Sequence, residues 1–122
     1  MIGWDTIGYG AVLSALAAAI LVVAVARGHR VTAGLGAAVG AAAGPIAWNA
    51  ILRATHASTF FTDAPVAVMP ASWQDTGSGV FAIVATAVLL GIGPLGASPT
   101  RPTVTYALLA GLAAFLIDVY LY

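Results

Sequence analysis

The chain contains no cysteine, no lysine and no glutamate, and only 7% of its 122 residues are charged. Each absence removes a class of chemistry. Without cysteine there are no disulfides, thiol nucleophiles, thiolate metal sites or lipidated cysteines. Without lysine there is no Schiff base, which excludes retinal and pyridoxal sites. The charges that exist are four arginines (27, 30, 53 and 101) and four aspartates (5, 63, 75 and 118), which sum to zero. That balance gives no basic footprint for nucleic acid. Arginine in place of lysine, together with abundant alanine and glycine, suits a GC-rich prokaryotic genome.

What is present is apolar: 61% of residues are hydrophobic and the mean hydropathy is +1.03. Soluble domains sit near 45–50% apolar and about 25% charged. A chain of this composition lacks the polar residues to cover a water-facing surface, so the expected solvent is a lipid bilayer.

Four apolar stretches, at about 6–26, 31–53, 78–97 and 103–122, predict four transmembrane helices, since about 20 helical residues span the hydrocarbon core. The fold class expected is an all-α integral membrane protein, a single-domain up-and-down bundle with one long outer loop at about 54–77. The first stretch competes with a secretory leader, because Ala24, Val25 and Ala26 resemble a cleavage site. The preceding MIGWD carries Asp5 and no basic residue, which favours a helix.

Charge placement predicts orientation. Arg27, His29 and Arg30 lie in the turn between the first two stretches, and Arg101 lies in the turn between the last two. The other side carries all four aspartates with Arg53. The positive-inside rule then places both termini and the long loop on the outer face of the cell membrane. The turn RGHR breaks at Gly28, and ASPTRPT reverses the chain at Pro99 and Pro102. Pro94 is expected to end or bend the third helix.

Gly36, Gly40 and Gly44 share one helix face and predict a close packing surface, used inside the bundle or by a partner helix. Gly10, Ser14 and Ala18, and Ala107 with Gly111, repeat the spacing. Pro45 predicts a bend in the second helix, with a freed carbonyl as the sharper alternative.

Polar residues at membrane depth need a reason, because an aspartate near a helix centre costs about 2.5–3.5 kcal/mol on insertion scales. Asn49 and Asp118 qualify. An Arg53–Asp118 ion pair near the outer interface is the structural expectation for Asp118; a proton- or cation-ligand role, with Asn49 beside it, is the functional one. In the loop, THASTFFTDAPVAVMPASWQDTGSGV, Phe60, Phe61, Val66, Val68, Met69 and Trp73 suit the bilayer surface or a partner, and Pro65 and Pro70 stiffen the path. Ser72 and Asp75 have capping-box spacing. His56, Asp63 and Asp75, with Met69, form a weak metal candidate whose spacing matches no tight ligand motif. Trp73 and Gln74 complete the outer-face candidates. No nucleophile elbow or phosphate loop occurs.

In length and helix count the chain resembles the small multidrug-resistance exporters. Those depend on a glutamate in the first helix, which this chain lacks, so the resemblance carries no site residue across.

Three functions follow from these residues. The leading expectation is a non-catalytic integral subunit that packs into a larger membrane assembly, its partners being lipid, other membrane subunits or further copies of itself. The alternative is a small proton- or cation-coupled transporter or channel using Asp118 and Asn49. The third is a membrane enzyme or metal-handling protein at His56, Asp63 and Asp75. No cofactor is expected.

Overall fold

A computed structural model describes residues 2–66, 68–93 and 100–121. The described residues form four long helices, α1 (Trp4–Val25), α2 (Arg30–Ala54), α3 (Trp73–Ile92) and α4 (Thr100–Leu121), with a short 3₁₀ turn at Ser58–Phe61 and no strand. Each of the four is long and apolar enough to cross a membrane.

The helices pack as an antiparallel ring. Gly34 of α2 faces Val23 of α1; Gly36, Gly40 and Gly44 face Leu90, Thr86 and Ala82 of α3; Gly79 of α3 faces Phe115 of α4, and Gly111 of α4 faces Ile83 of α3. α1 closes the ring against α4, and α2 also touches α4 across the diagonal. Glycine is needed at these crossings because the neighbouring backbone is already in contact range. A Cβ at Gly44 would fall 2.4 Å from the Ala82 amide nitrogen. Close approach of this kind lets dispersion hold helices together where lipid removes the hydrophobic drive.

Side-chain size is sorted opposite to a soluble protein. The buried stripe is largely Ala and Gly: Ala11, Ala18, Ala33, Ala37, Ala41, Ala82, Ala107, Ala110 and Ala114. Large apolar side chains point outward, with Val31 74%, Leu35 63%, Ile20 69% and Ile92 82% exposed. An apolar belt of this extent is a liability in water, and it matches the lipid-facing surface of a spanning bundle.

Three helix limits differ from the sequence expectation: the start and the end of α3 and the start of α4. α3 ends at Ile92, five residues short of the apolar stretch, where Gly93 leaves the helical conformation (φ −95, ψ −125). α3 begins at Trp73, five residues before the apolar run, because Ser72 and Asp75 form a reciprocal capping box that satisfies the first free amides. The Asp75 carboxylate accepts from Ser72 N at 2.7 Å and Ser72 Oγ accepts from Asp75 N at 3.3 Å. α4 begins at Thr100, so Pro102 occupies its first turn, where a missing N–H is tolerated. Pro94 and Pro99 lie outside the described residues. α2 runs unbroken through Pro45.

The bundle has a turn end, with Arg27, Arg30 and Arg101, and a loop end, with Arg53 and the four aspartates. At the turn end the Arg30 side chain donates to the Ala26 carbonyl at 2.8 Å and covers the last turn of α1.

Candidate functional site

α2, α3 and α4 each send polar side chains into the interior near the loop end. Asn49 (1% exposed), Gln74 (1%), Ser78 (0%) and Asp118 (0%) form one buried group. Helix spacing puts them there. Gln74, Ser78, Ala82, Thr86 and Leu90 recur every four residues along the buried stripe of α3, and Ala107, Gly111, Ala114 and Asp118 follow the same face of α4.

The Gln74 side-chain nitrogen is the hub. It lies 3.1 Å from Asp118 Oδ2, 3.2 Å from Ser78 Oγ and 3.4 Å from Asn49 Oδ1. The Asn49 side-chain nitrogen is already committed, donating to the Pro45 carbonyl one turn earlier at 2.8 Å. Asp118 Oδ1 is buried and has no hydrogen-bond partner among the described residues.

The expected Arg53–Asp118 ion pair does not form. Arg53 donates instead to the Ile2 carbonyl, and its guanidinium lies 4.8 Å from the centre of the Trp4 ring, a cation–π geometry. Both residues sit at the loop end, but they leave their helices in different directions. Asp118 faces the interior, while Arg53 is half-buried against the start of α1. Nor is Asp118 at a wet interface, as its place four residues from the chain end had suggested; it is fully enclosed.

A carboxylate so placed is electrostatically incomplete. Desolvating an ionised carboxyl costs several kcal/mol; the Gln74 amide and the Ser78 hydroxyl act on it, each such charge-assisted hydrogen bond returning about 1.5–3 kcal/mol, but neither brings a positive charge. Arg53 is the only arginine at this end, and it is engaged elsewhere. The arrangement is therefore suited to holding a small positive species, a proton or a cation, on Asp118.

Further polar groups continue along the interior. Ser14 Oγ on α1 and Thr86 Oγ1 on α3 are buried without a partner among the described residues. Towards the turn end, Thr103 and Tyr106 of α4 are also buried. Ser14, Thr86 and Ser78 were not singled out as members of an interior group by sequence; the four-residue spacing from Gln74 to Thr86 is the signal that finds two of them.

The remaining candidates lie apart from this group. His56 has a left-handed backbone (φ 54) and is exposed. It terminates α2 in a Schellman arrangement, with Ala57 N donating to Leu52 O at 3.0 Å and His56 N to Arg53 O at 3.3 Å. Asp63 is exposed, beside a depression lined also by Thr62, Ala64, Ala71, Ser72, Trp73 and Thr76. Asp75 is held in the capping box. No three His, Asp, Glu or Cys side chains converge on a metal-sized site among the described residues.

The loop is fastened to the bundle at several points. Ala64 N donates to Ala71 O at 2.8 Å, closing the loop on itself, and Tyr120 Oη at the end of α4 donates to Val68 O at 2.7 Å. Trp48 of α2 meets Phe60 and Phe81 with ring centres 5.9 and 5.2 Å apart, and Gly77 leaves the space its indole fills. Trp73, Val68 and Met69 remain exposed.

Comparison with protein-family models, curated proteins and solved structures finds no match.

Proposed function

We propose that the chain spans a membrane four times, with both termini and the loop end outside, and binds an ion at Asp118 as a small proton- or cation-coupled transporter or channel. One observation carries this reading: Asp118 is wholly buried and, among the described residues, has no basic partner and leaves Oδ1 without a hydrogen bond. An acid of this kind needs a neutralising ion, and intramembrane acids facing a bundle interior commonly belong to ion pathways. Buried hydroxyls at Ser78 and Thr86 of α3, Ser14 of α1 and Tyr106 of α4, at successive positions between the loop end and the turn end, support it.

The orientation rests on the arginines of the turn end. Three of the four lie there without an acid, which the positive-inside rule assigns to the cytoplasmic face.

The test is ion flux in proteoliposomes. The protein should dissipate an imposed proton or alkali-cation gradient, and Asp118→Asn should not. Absence of flux in the unaltered protein, or equal flux in the variant, overturns the proposal.

A second reading, an accessory subunit of a larger assembly, is supported by the exposed Trp73, Val68 and Met69 on a tethered loop. The small-residue face of α2 gives it little support, since Gly40 and Gly44 are buried against α3 and Gly36, half-buried, faces Leu90. Native mass measurement after mild detergent extraction separates the two. Unrelated subunits bound in fixed ratio support the second reading, and a chain that migrates alone or only with copies of itself counts against it.

A further inference from the structure

The Gln74 amide is shared by more acceptors than it can serve. Its nitrogen carries two hydrogens, yet three oxygens surround it, at 3.1, 3.2 and 3.4 Å. The first two fall at the long end of the ordinary 2.7–3.2 Å range for N–H···O and the third, to Asn49, lies beyond it. Asp118 Oδ1 adds a fourth oxygen, unpaired among the described residues, and the Ser78 hydroxyl, which also acts on this carboxyl, is the one other donor in the group. Every side chain involved is at least nine-tenths buried, so no bulk water relieves the surplus. The group is rich in oxygen and contains one acid, Asp118, which holds a proton when no cation is bound and gives it up when one binds.

Resting on the reading of Asp118 as the ion-binding acid, we propose that these side chains form a site for one small monovalent cation, an alkali ion or ammonium, switched by the Gln74 amide. With the nitrogen inward, as observed, the amide stands in for the cation. Turning the amide about its last torsion, which is broad and nearly two-fold, replaces the nitrogen by Oε1. Four side chains then present oxygen to one point: Asp118, Asn49, Ser78 and Gln74. Four oxygens facing one another repel unless a cation lies between them, so cation binding and amide orientation are one event. Asn49 cannot turn in the same way without giving up its bond to the Pro45 carbonyl, which keeps its oxygen directed at the site.

Charge and ligand number select the ion. One carboxylate balances one positive charge, and a divalent ion would leave a net charge in a dry interior. Calcium also takes 6–8 oxygens and magnesium a near-octahedral shell, more than these four side chains supply. Asp75 is the other acid close by on α3, but the two reciprocal bonds it makes with Ser72 hold it at the helix start. No arginine faces the site from α2, where Arg53 turns to Trp4.

Thermal unfolding of the purified protein in detergent, in sodium, potassium or ammonium chloride against choline chloride at equal ionic strength, tests this directly. At least one of the three should stabilise the protein saturably. The same ion should remove the infrared band of a protonated carboxyl, a band that Asp118→Asn lacks. Gln74→Leu, which keeps Asp118 and fills the space, should bind that ion about tenfold more weakly, the loss of about one ligand. Ser78→Ala should weaken it in the same direction and provides the comparison should Gln74→Leu fail to fold. Stabilisation no different from choline in every salt, or undiminished binding in both the Gln74 and Ser78 variants, overturns the cation site. Proton flux lost in Asp118→Asn would then still stand, leaving Asp118 a proton carrier. A cation response that persists in Asp118→Asn overturns the ion-binding reading of Asp118 itself.

Discussion

A methyl group at Gly44 would meet the Ala82 backbone nitrogen at 2.4 Å, Ala82 Cα at 2.7 Å and Ala82 Cβ at 2.9 Å. Ordinary contact begins near 3.4 Å, so Gly44→Ala must drive α2 and α3 apart by about 1 Å, a separation of backbones that no rotamer change relieves. Overpacking of this sort costs about 1–3 kcal/mol. Alanine returns up to about 1 kcal/mol in helix propensity, which leaves a net loss of about 0–2 kcal/mol. Gly8→Ala isolates the propensity term, because a Cβ there meets nothing within 4 Å; it should gain about 0.5–1 kcal/mol. The difference between the two variants, about 1–3 kcal/mol, measures the packing alone. Reversible unfolding in mixed micelles is the assay. Equal stability of the two variants would refute the claim that α2 and α3 meet at Gly44.

Three further outcomes follow from the site and its supports. His56→Gly should raise stability by about 0.5–1 kcal/mol, because the left-handed backbone strains any residue with a Cβ, and the same unfolding assay should show it; a loss would point to a role for the imidazole. Ser72→Ala removes one half of the capping box and should cost about 1 kcal/mol. Faster amide hydrogen exchange confined to the first turn of α3 would locate the loss, and unchanged exchange there would contradict it. A double-mutant cycle of Arg53→Gln and Asp118→Asn should give a coupling below about 0.5 kcal/mol, as for sites without shared partners; a large coupling would restore the ion pair that the geometry denies.

Much of the architecture was readable from residue order, for a simple reason. Apolar runs long enough to span a bilayer announce helices by length alone, and the turns between α1 and α2 and between α3 and α4 are marked by arginine, glycine or proline. The start of α3 was hidden because Trp73, Gln74 and Asp75 are not an apolar run; only the Ser72–Asp75 spacing pointed to it. The Arg53–Asp118 expectation failed for a different reason. Position along a helix gives depth, and depth put the two residues together, but an ion pair also needs them to face each other. Rotation about the helix axis was legible in another pattern: Asp118 falls on the stripe of Ala107, Gly111 and Ala114, and Gln74 on the stripe of Ser78 and Ala82. In a bundle that buries its small residues and exposes its large ones, a polar residue on a small-residue stripe belongs to the interior. Hydropathy averages erase that distinction.

The absence of native cysteine allows the central claim, a bilayer-spanning bundle that encloses Asp118, to be tested by single-cysteine labelling in intact cells with a membrane-impermeant maleimide. Asp63→Cys should react from outside, Gly28→Cys only after the membrane is opened, and Asp118→Cys under neither condition in the folded protein. Reaction of Asp63→Cys and Gly28→Cys from the same side, or ready labelling of Asp118→Cys, would contradict it.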